Sequence, residues 1–174
     1  MAAKPLQLVS GRPTEVEANI TSAGAGDSGK LVALDSGGKI DQTMMPAGVG
    51  PDSISITSSE NLAAGDFVNI WDDAGTPKVR KADASAASAG KAADGFVIAA
   101  VTSPAAATVY FEGSNTQLSG LTGGTVYVLS HSTPGGVVAL ASATTTAGHS
   151  LQILGKAHST TALNFERADP IIRG

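Results

Sequence analysis

Thr108-Val109-Tyr110-Phe111-Glu112 and Thr125-Val126-Tyr127-Val128-Leu129 are built almost entirely of β-branched and aromatic side chains. Such residues fit a pleated, half-buried surface, and both runs have the length of an ordinary strand. Working outward, Gly95-Phe96-Val97-Ile98-Ala99-Ala100-Val101 is nearly continuously apolar, which predicts a strand buried on both faces. Ser53-Ile54-Ser55-Ile56-Thr57 alternates polar and apolar residues with the period of a strand. Phe67-Val68-Asn69-Ile70-Trp71 and Lys78-Val79-Arg80-Lys81 flank the turn signal Asp72-Asp73-Ala74-Gly75-Thr76-Pro77 and predict a hairpin. Val137-Val138-Ala139-Leu140 follows the turn Pro134-Gly135-Gly136. Ser150-Leu151-Gln152-Ile153-Leu154-Gly155-Lys156-Ala157 and Thr161-Ala162-Leu163-Asn164-Phe165-Glu166 complete the series. Short strands separated by frequent turns predict an all-β domain, a small β-barrel or β-sandwich, over residues 53–174.

The residues before it read differently. In 1–52 the large apolar side chains come in brief groups: Leu6, Leu8 and Val9; Val16 and Ile20; Leu31, Val32 and Leu34; Ile40, Met44 and Met45. Between them lie Gly, Ser, Asp and Pro, and Pro46-Ala47-Gly48-Val49-Gly50-Pro51 ends the segment as a linker. No group is long enough to build a core. The expectation is an extended N-terminal arm with short strand or turn elements that packs on a neighbouring molecule. A third kind of segment, residues 82–93, is nearly all Ala, Ser, Gly and Asp. A short helix without large apolar residues has little to hold it, so a mobile surface loop is expected there in preference to a helical turn.

Composition narrows the function. The 174 residues include 21 Gly, no Cys and 15% charged residues; the hydrophobic share is 42%, yet aromatics supply only 4%. Without cysteine there is no disulfide, thiolate metal site or cysteine nucleophile. A net charge of −4 argues against nucleic acid as the main partner. No run approaches the length of about 18 apolar residues that crosses a bilayer. The N-terminal residues lack the apolar stretch of a secretory signal, so synthesis in the cytoplasm is expected.

Several short motifs imitate chemistry. Gly24-Ala25-Gly26-Asp27-Ser28-Gly29-Lys30 has the spacing of a phosphate-binding loop, but Leu31 stands where Ser or Thr must hold magnesium. Gly26-Asp27-Ser28-Gly29 and Asp35-Ser36-Gly37-Gly38 look like the surroundings of a nucleophilic serine, yet no His precedes His131. All three read better as tight turns. His131, His149 and His158 are spaced by 18 and 9 residues, which fits no zinc motif, and the last two are expected at the surface. Lys78, Arg80 and Lys81 read as a solvated edge strand, with contact to an acidic partner as the alternative. Tyr110, Phe111 and Tyr127 read as core, with a carbohydrate platform as the alternative. No catalytic, cofactor or metal constellation emerges, and a non-enzymatic protein without cofactors is expected.

Residues 28–46, Ser28-Gly29-Lys30-Leu31-Val32-Ala33-Leu34-Asp35-Ser36-Gly37-Gly38-Lys39-Ile40-Asp41-Gln42-Thr43-Met44-Met45-Pro46, resemble a glycine-lysine, Ala-Leu-Asp, Gly-Lys-Ile-Asp, Leu-Pro segment of tailed-phage fibre and head-decoration proteins. Stretches 62–70, 121–130 and 133–136 are similar to small β-barrel modules of such virions. The resemblance implies a virion structural protein. The modest length favours a capsid decoration, or cement, protein over a long tail fibre. It further implies a homotrimer on the capsid surface, contacting the major capsid protein, with no nucleic acid or membrane partner. The residues expected to make the capsid or neighbour contact are Leu6, Leu8, Val9, Val16, Ile20, Leu31, Val32, Leu34, Ile40, Met44 and Met45. The alternative is a head- or tail-fibre module that adsorbs to host surface glycans.

Overall fold

A computed structural model describes residues 4–45, 49–85 and 90–174. Part of the expected linker (46–48) and the middle of the small-residue segment (86–89) lie outside the described residues. The chain divides into two compact units, Met1–Gly50 and Pro51–Gly174. The described secondary structure is all-β apart from single 3₁₀ turns.

In the first unit, β1 (Leu6–Val9) and β2 (Arg12–Glu15) form an antiparallel hairpin. Its two-residue turn, Ser10-Gly11, places both residues at positive φ, the conformation whose twist matches paired strands. Beyond the hairpin the chain runs through turns, joined by a parallel bridge between Asn19 and Val32. Among the described residues of this unit only Ala18 belongs to the buried hydrophobic set.

The second unit contains two five-stranded antiparallel sheets and a small two-stranded one. The first sheet has the order β3 (Ser53–Thr57), β7 (Ala106–Tyr110), β6 (Gly95–Phe96), β4 (Phe67–Asp73), β5 (Thr76–Lys81). Five alternating strands leave the first and last pointing the same way, so the sheet can close only through a parallel contact. That contact is present: Ser58, just past β3, bridges Val79 of β5 in parallel, and the Ser59 amide donates to the Val79 carbonyl at 2.9 Å. The sheet thus curls into a barrel around Ile56, Val68, Val79, Val97, Ala107 and Val109. Closure also removes the open edge on which Lys78, Arg80 and Lys81 were expected to lie. Lys78 instead pairs with Asp73 at 2.5 Å and Lys81 with Asp66 at 3.3 Å. Arg80 donates to Asn69 and covers the Trp71 ring at 4.8 Å.

The second sheet has the order β10 (Val137–Ala139), β9 (Val126–Leu129), β12 (Ile153–Ala157), β13 (Leu163–Phe165), β8 (Gly113–Asn115). It packs on the outer face of the barrel through Phe67, Phe96, Tyr127, Leu129, Leu154, Leu163 and Phe165. Strand alternation makes this possible: Phe67 and Phe96 point out to the second sheet while their neighbours Val68 and Val97 point into the barrel. Phe67, Phe96 and Phe165 form a triangle of rings with centroids 5.3 to 6.1 Å apart, all tilted or edge-on to one another. The two-stranded sheet joins β11 (Ser150–Leu151) to β14 (Ile171–Ile172).

Two expectations fail locally. Residues 95–101 are not buried throughout: Gly95, Phe96 and Val97 are sealed, but Ile98, Ala99 and Ala100 are exposed. After Val97, whose amide and carbonyl bond Asp66 and Gly65, the chain leaves the sheet. The 82–93 segment is not simply a surface loop either, since Ala82, Ala84 and Ala93 are fully buried in the inter-sheet core. Their methyl groups join the same buried cluster as the phenylalanine triangle. The segment is held by Gln152, also fully buried, whose amide accepts from the Ala93 amide at 2.7 Å and donates to the Ala93 and Ala168 carbonyls.

Two stability measurements check this architecture. Replacing Phe165 with Ala is expected to cost about 3–5 kcal/mol in urea unfolding, because the ring touches both sheets. Gly155 lies at the register shift of β12 against β9 with φ +145, and an added Cβ would collide with the Asn164 carbonyl. Gly155→Ala is expected to lose at least about 1–3 kcal/mol; an unchanged midpoint would contradict the bulge.

Candidate functional site

Nine of the eleven predicted contact residues are exposed: Leu6, Leu8, Val9, Ile20, Leu31, Val32, Leu34, Ile40 and Met45. Val16 and Met44 are half-buried. Leu6 and Leu8, at 71% and 77% exposure, alternate onto one face of the β1–β2 hairpin. Ile20, Leu31, Val32 and Leu34 are brought together by the Asn19–Val32 bridge and line one groove of about 950 Å³. The groove floor includes Ala18, and Lys4 and Asp35 stand at its margin. Val16 lies in an adjoining hollow, and Met44 in a smaller one beside Leu31 and Val32. Val9, Ile40 and Met45 line none of these hollows.

The motif-like turns are closed by their own side chains. In 24–30 a 3₁₀ turn over Ala25–Asp27 brings the Asp27 carboxylate to the Ala23 amide at 2.6 Å and to the Lys30 ammonium at 2.7 Å. The lysine that a phosphate loop would offer to a ligand is thus occupied within the turn. In 35–39 the Asp35 carboxylate accepts from the Gly37 and Lys39 amides, an Asx turn in which Ser36 has no base. Asp41 caps the 3₁₀ turn Gln42–Met44 by accepting from the amide and hydroxyl of Thr43.

In the second unit the histidines separate into two places. His158 is exposed, as expected, and its Nε2 meets the Ser114 hydroxyl at 2.8 Å. No described carboxylate bonds the other ring nitrogen, so the pair lacks the orienting acid of a nucleophilic triad. His149 is half-buried, not exposed as expected. Its ring lies 6.1 Å from that of His131, with Nδ1 of each sealed and unpartnered. Pairing of β11 with β14 draws His149 inward, since its carbonyl accepts from the Arg173 amide. Among the described residues no three His, Asp or Glu side chains gather as a metal site, and no helix is long and apolar enough to cross a membrane.

One feature escaped the sequence reading. Where the chain passes from β7 of the barrel to β8 of the second sheet, a groove of about 620 Å³ opens at the seam. Tyr110, Glu112, Gly113 and Ser114 line it from one side, and Asn164, paired directly with Ser114, lines it from β13. Tyr127 is core, with its hydroxyl accepting from the Thr122 amide. Tyr110 and Phe111 are only half-buried. The strand signal in Thr108–Glu112 was visible beforehand, but the groove depends on Gly113-Ser114-Asn115, which carries none.

The Asp27 turn has a pH signature. Hydrogen bonds from Lys30, from the Ala23 amide and from Asn19 lower the Asp27 carboxyl from 3.8 to about 2. A depressed carboxyl favours the folded turn fully above its ordinary value and loses that effect as pH falls through the folded value. The Ala23 and Lys30 NMR signals are therefore expected to hold from neutral pH to about 4 and to move toward disorder only on approach to about 2. Loosening near pH 6 would rule the turn out.

No family model matches this chain, and no curated protein matches it.

Proposed function

We propose that the chain is a structural virion protein of a tailed bacteriophage, one that decorates the capsid and stabilises it without catalysis or cofactor. The observation that carries this reading is the first unit's apolar surface. Ten large apolar side chains are exposed among its described residues, nine of them expected contact residues and the tenth Val49, while Ala18 alone joins the buried set. An exposed apolar surface of this extent, with the groove of Ile20, Leu31, Val32 and Leu34, suits a docking surface. Each such side chain buried on a partner contributes about 1.5–3 kcal/mol, set against the cost of ordering the interface.

In this reading the first unit lies on the major capsid protein and on neighbouring copies of the chain, which associate as a homotrimer on the capsid surface. Repeated sites on one shell then act by avidity, so that individually weak contacts hold. The resemblance of residues 28–46 to phage decoration segments supports the same conclusion. Synthesis occurs in the host cytoplasm, before the chain joins the shell. The second reading, adsorption to host glycans, is favoured by one observation, the groove between β7 and β8.

Deletion of residues 1–52 tests the docking role, because residues 53–174 retain both core clusters. The truncated protein is expected to remain folded by circular dichroism and to lose capsid binding in a sedimentation assay. In the full chain, the double substitution Leu6→Asp and Leu8→Asp is expected to weaken binding about tenfold or more. Full occupancy of shells by the truncated protein would sink the proposal.

A further inference from the structure

We propose that the groove at the barrel–sheet seam is a binding site for a neutral saccharide. Its volume of about 620 Å³ lies within the roughly 300–1,000 Å³ typical of small-ligand sites. The floor is where the sealed rings of Phe96 and Phe165 meet the half-buried ring of Tyr110, which stacks on Phe96 at 5.6 Å. The accessible part of the Tyr110 ring, held rigid by the buried rings behind it, suits the apolar C–H face of a pyranose. Around it stand Asp52, Glu112 and Glu166, all exposed, with Ser114 and Asn164.

The polar groups also match a sugar. Each carboxylate accepts two hydrogen bonds, the Asn164 amide both donates and accepts, and the Ser114 hydroxyl does likewise. Vicinal hydroxyls need that mixture. Neither ion pairs nor side-chain hydrogen bonds within the described chain engage the three carboxylates. Their acceptor capacity faces solvent and a ligand, not a partner in the fold.

Charge and spacing define the class further. Among the described residues no Lys or Arg lines the groove, so three formal negative charges stand there and disfavour sialylated or phosphorylated sugars. The carboxylates do not converge as a cation cage, since no metal-holding group of three occurs among the described residues. Acceptors distributed around a mouth suit an extended polyhydroxylated ligand better than a point charge. Tyr110 ends β7 and Ser114 lies in β8, and the bend at Phe111-Glu112 between them places Glu112 at the groove. Asn164 lines the groove from β13, Phe165 of the same strand anchors in the core, and Glu166 follows just past the strand's end.

This site is independent of capsid docking and is tested on the free, full-length protein. Amide resonances would be followed by NMR during titration with cellobiose, lactose and chitobiose, each into the millimolar range. The expected result is saturable shifts at Gly113, Ser114, Asn164 and Glu166 with at least one of these sugars, and none with sialyllactose. Glu112→Gln and Glu166→Gln keep the side-chain shape at exposed positions. Each is expected to leave the remaining spectrum intact and to weaken that binding about tenfold. Absence of saturable shifts with all three neutral sugars overturns the proposal. So does saturation of the same resonances by N-acetyl-lysine methylamide with none by the sugars, which would assign the groove to a basic peptide.

Discussion

The contact among Phe67, Phe96 and Phe165 is the interaction on which the second unit depends. Three of the chain's four phenylalanines meet there, two from the barrel and one from the second sheet. Neither sheet buries its apolar face without the other. The buried residues of the barrel interior are no larger than Ile and Leu, with half-buried Phe111 packed against them, whereas the sealed aromatic rings lie in the inter-sheet layer. Burial of those rings supplies the largest apolar area in a chain with few aromatics, and edge-on geometry adds a specific preference to it. Tyr110 stacks on Phe96 at the margin of this cluster, so the core extends directly into the wall of the seam groove.

Around the triangle the abundance of small residues acquires a structural reason. Ala82, Ala84 and Ala93 join the buried cluster of the rings, and they bring backbone amides and carbonyls into a region without water. Such groups must be paired. Gln152 does so for Ala93 and Ala168, Asn115 donates to the Gly65 carbonyl, and Asn69 donates to the Ala92 carbonyl and Asp94. Each is a polar side chain buried between elements far apart in sequence. The first unit has no equivalent arrangement. Among its described residues, hairpin, bridge and turn hydrogen bonds lie at a half-open surface, and its large apolar groups face outward, in keeping with docking as its proposed work.

Much of the fold was legible in the chain. The β-branched and aromatic runs became β4, β7 and β9, and the Asp72–Pro77 turn signal became a tighter turn at Ala74-Gly75, with both residues at positive φ. The failures have a common cause. Ile98, Ala99 and Ala100 continue an apolar run, yet the chain has already left the sheet. Gly113-Ser114-Asn115 has no strand propensity, yet it pairs along β13 because that edge offers free backbone groups. Ala82 to Ala93 read as surface because alanine carries little hydrophobic signal of its own. In the first unit the apolar residues were readable one by one. That Ile20, Leu31, Val32 and Leu34 share one groove was not, since it follows from the Asn19–Val32 bridge.

The amino-acid order by itself determined the strand-forming runs, the turns, the division near residue 50 and the absence of cysteine. These are local properties, set by side-chain shape, two-residue alternation and the backbone freedom of glycine. Tertiary structure alone decided that the first sheet closes through Ser58 and Val79, that alanines share the buried cluster of the phenylalanines, and that three carboxylates ring an aromatic-floored groove. Those features join residues tens of positions apart. Their geometry is set by how two sheets pack across a shared core, and no periodicity in a single run records which distant run it will meet.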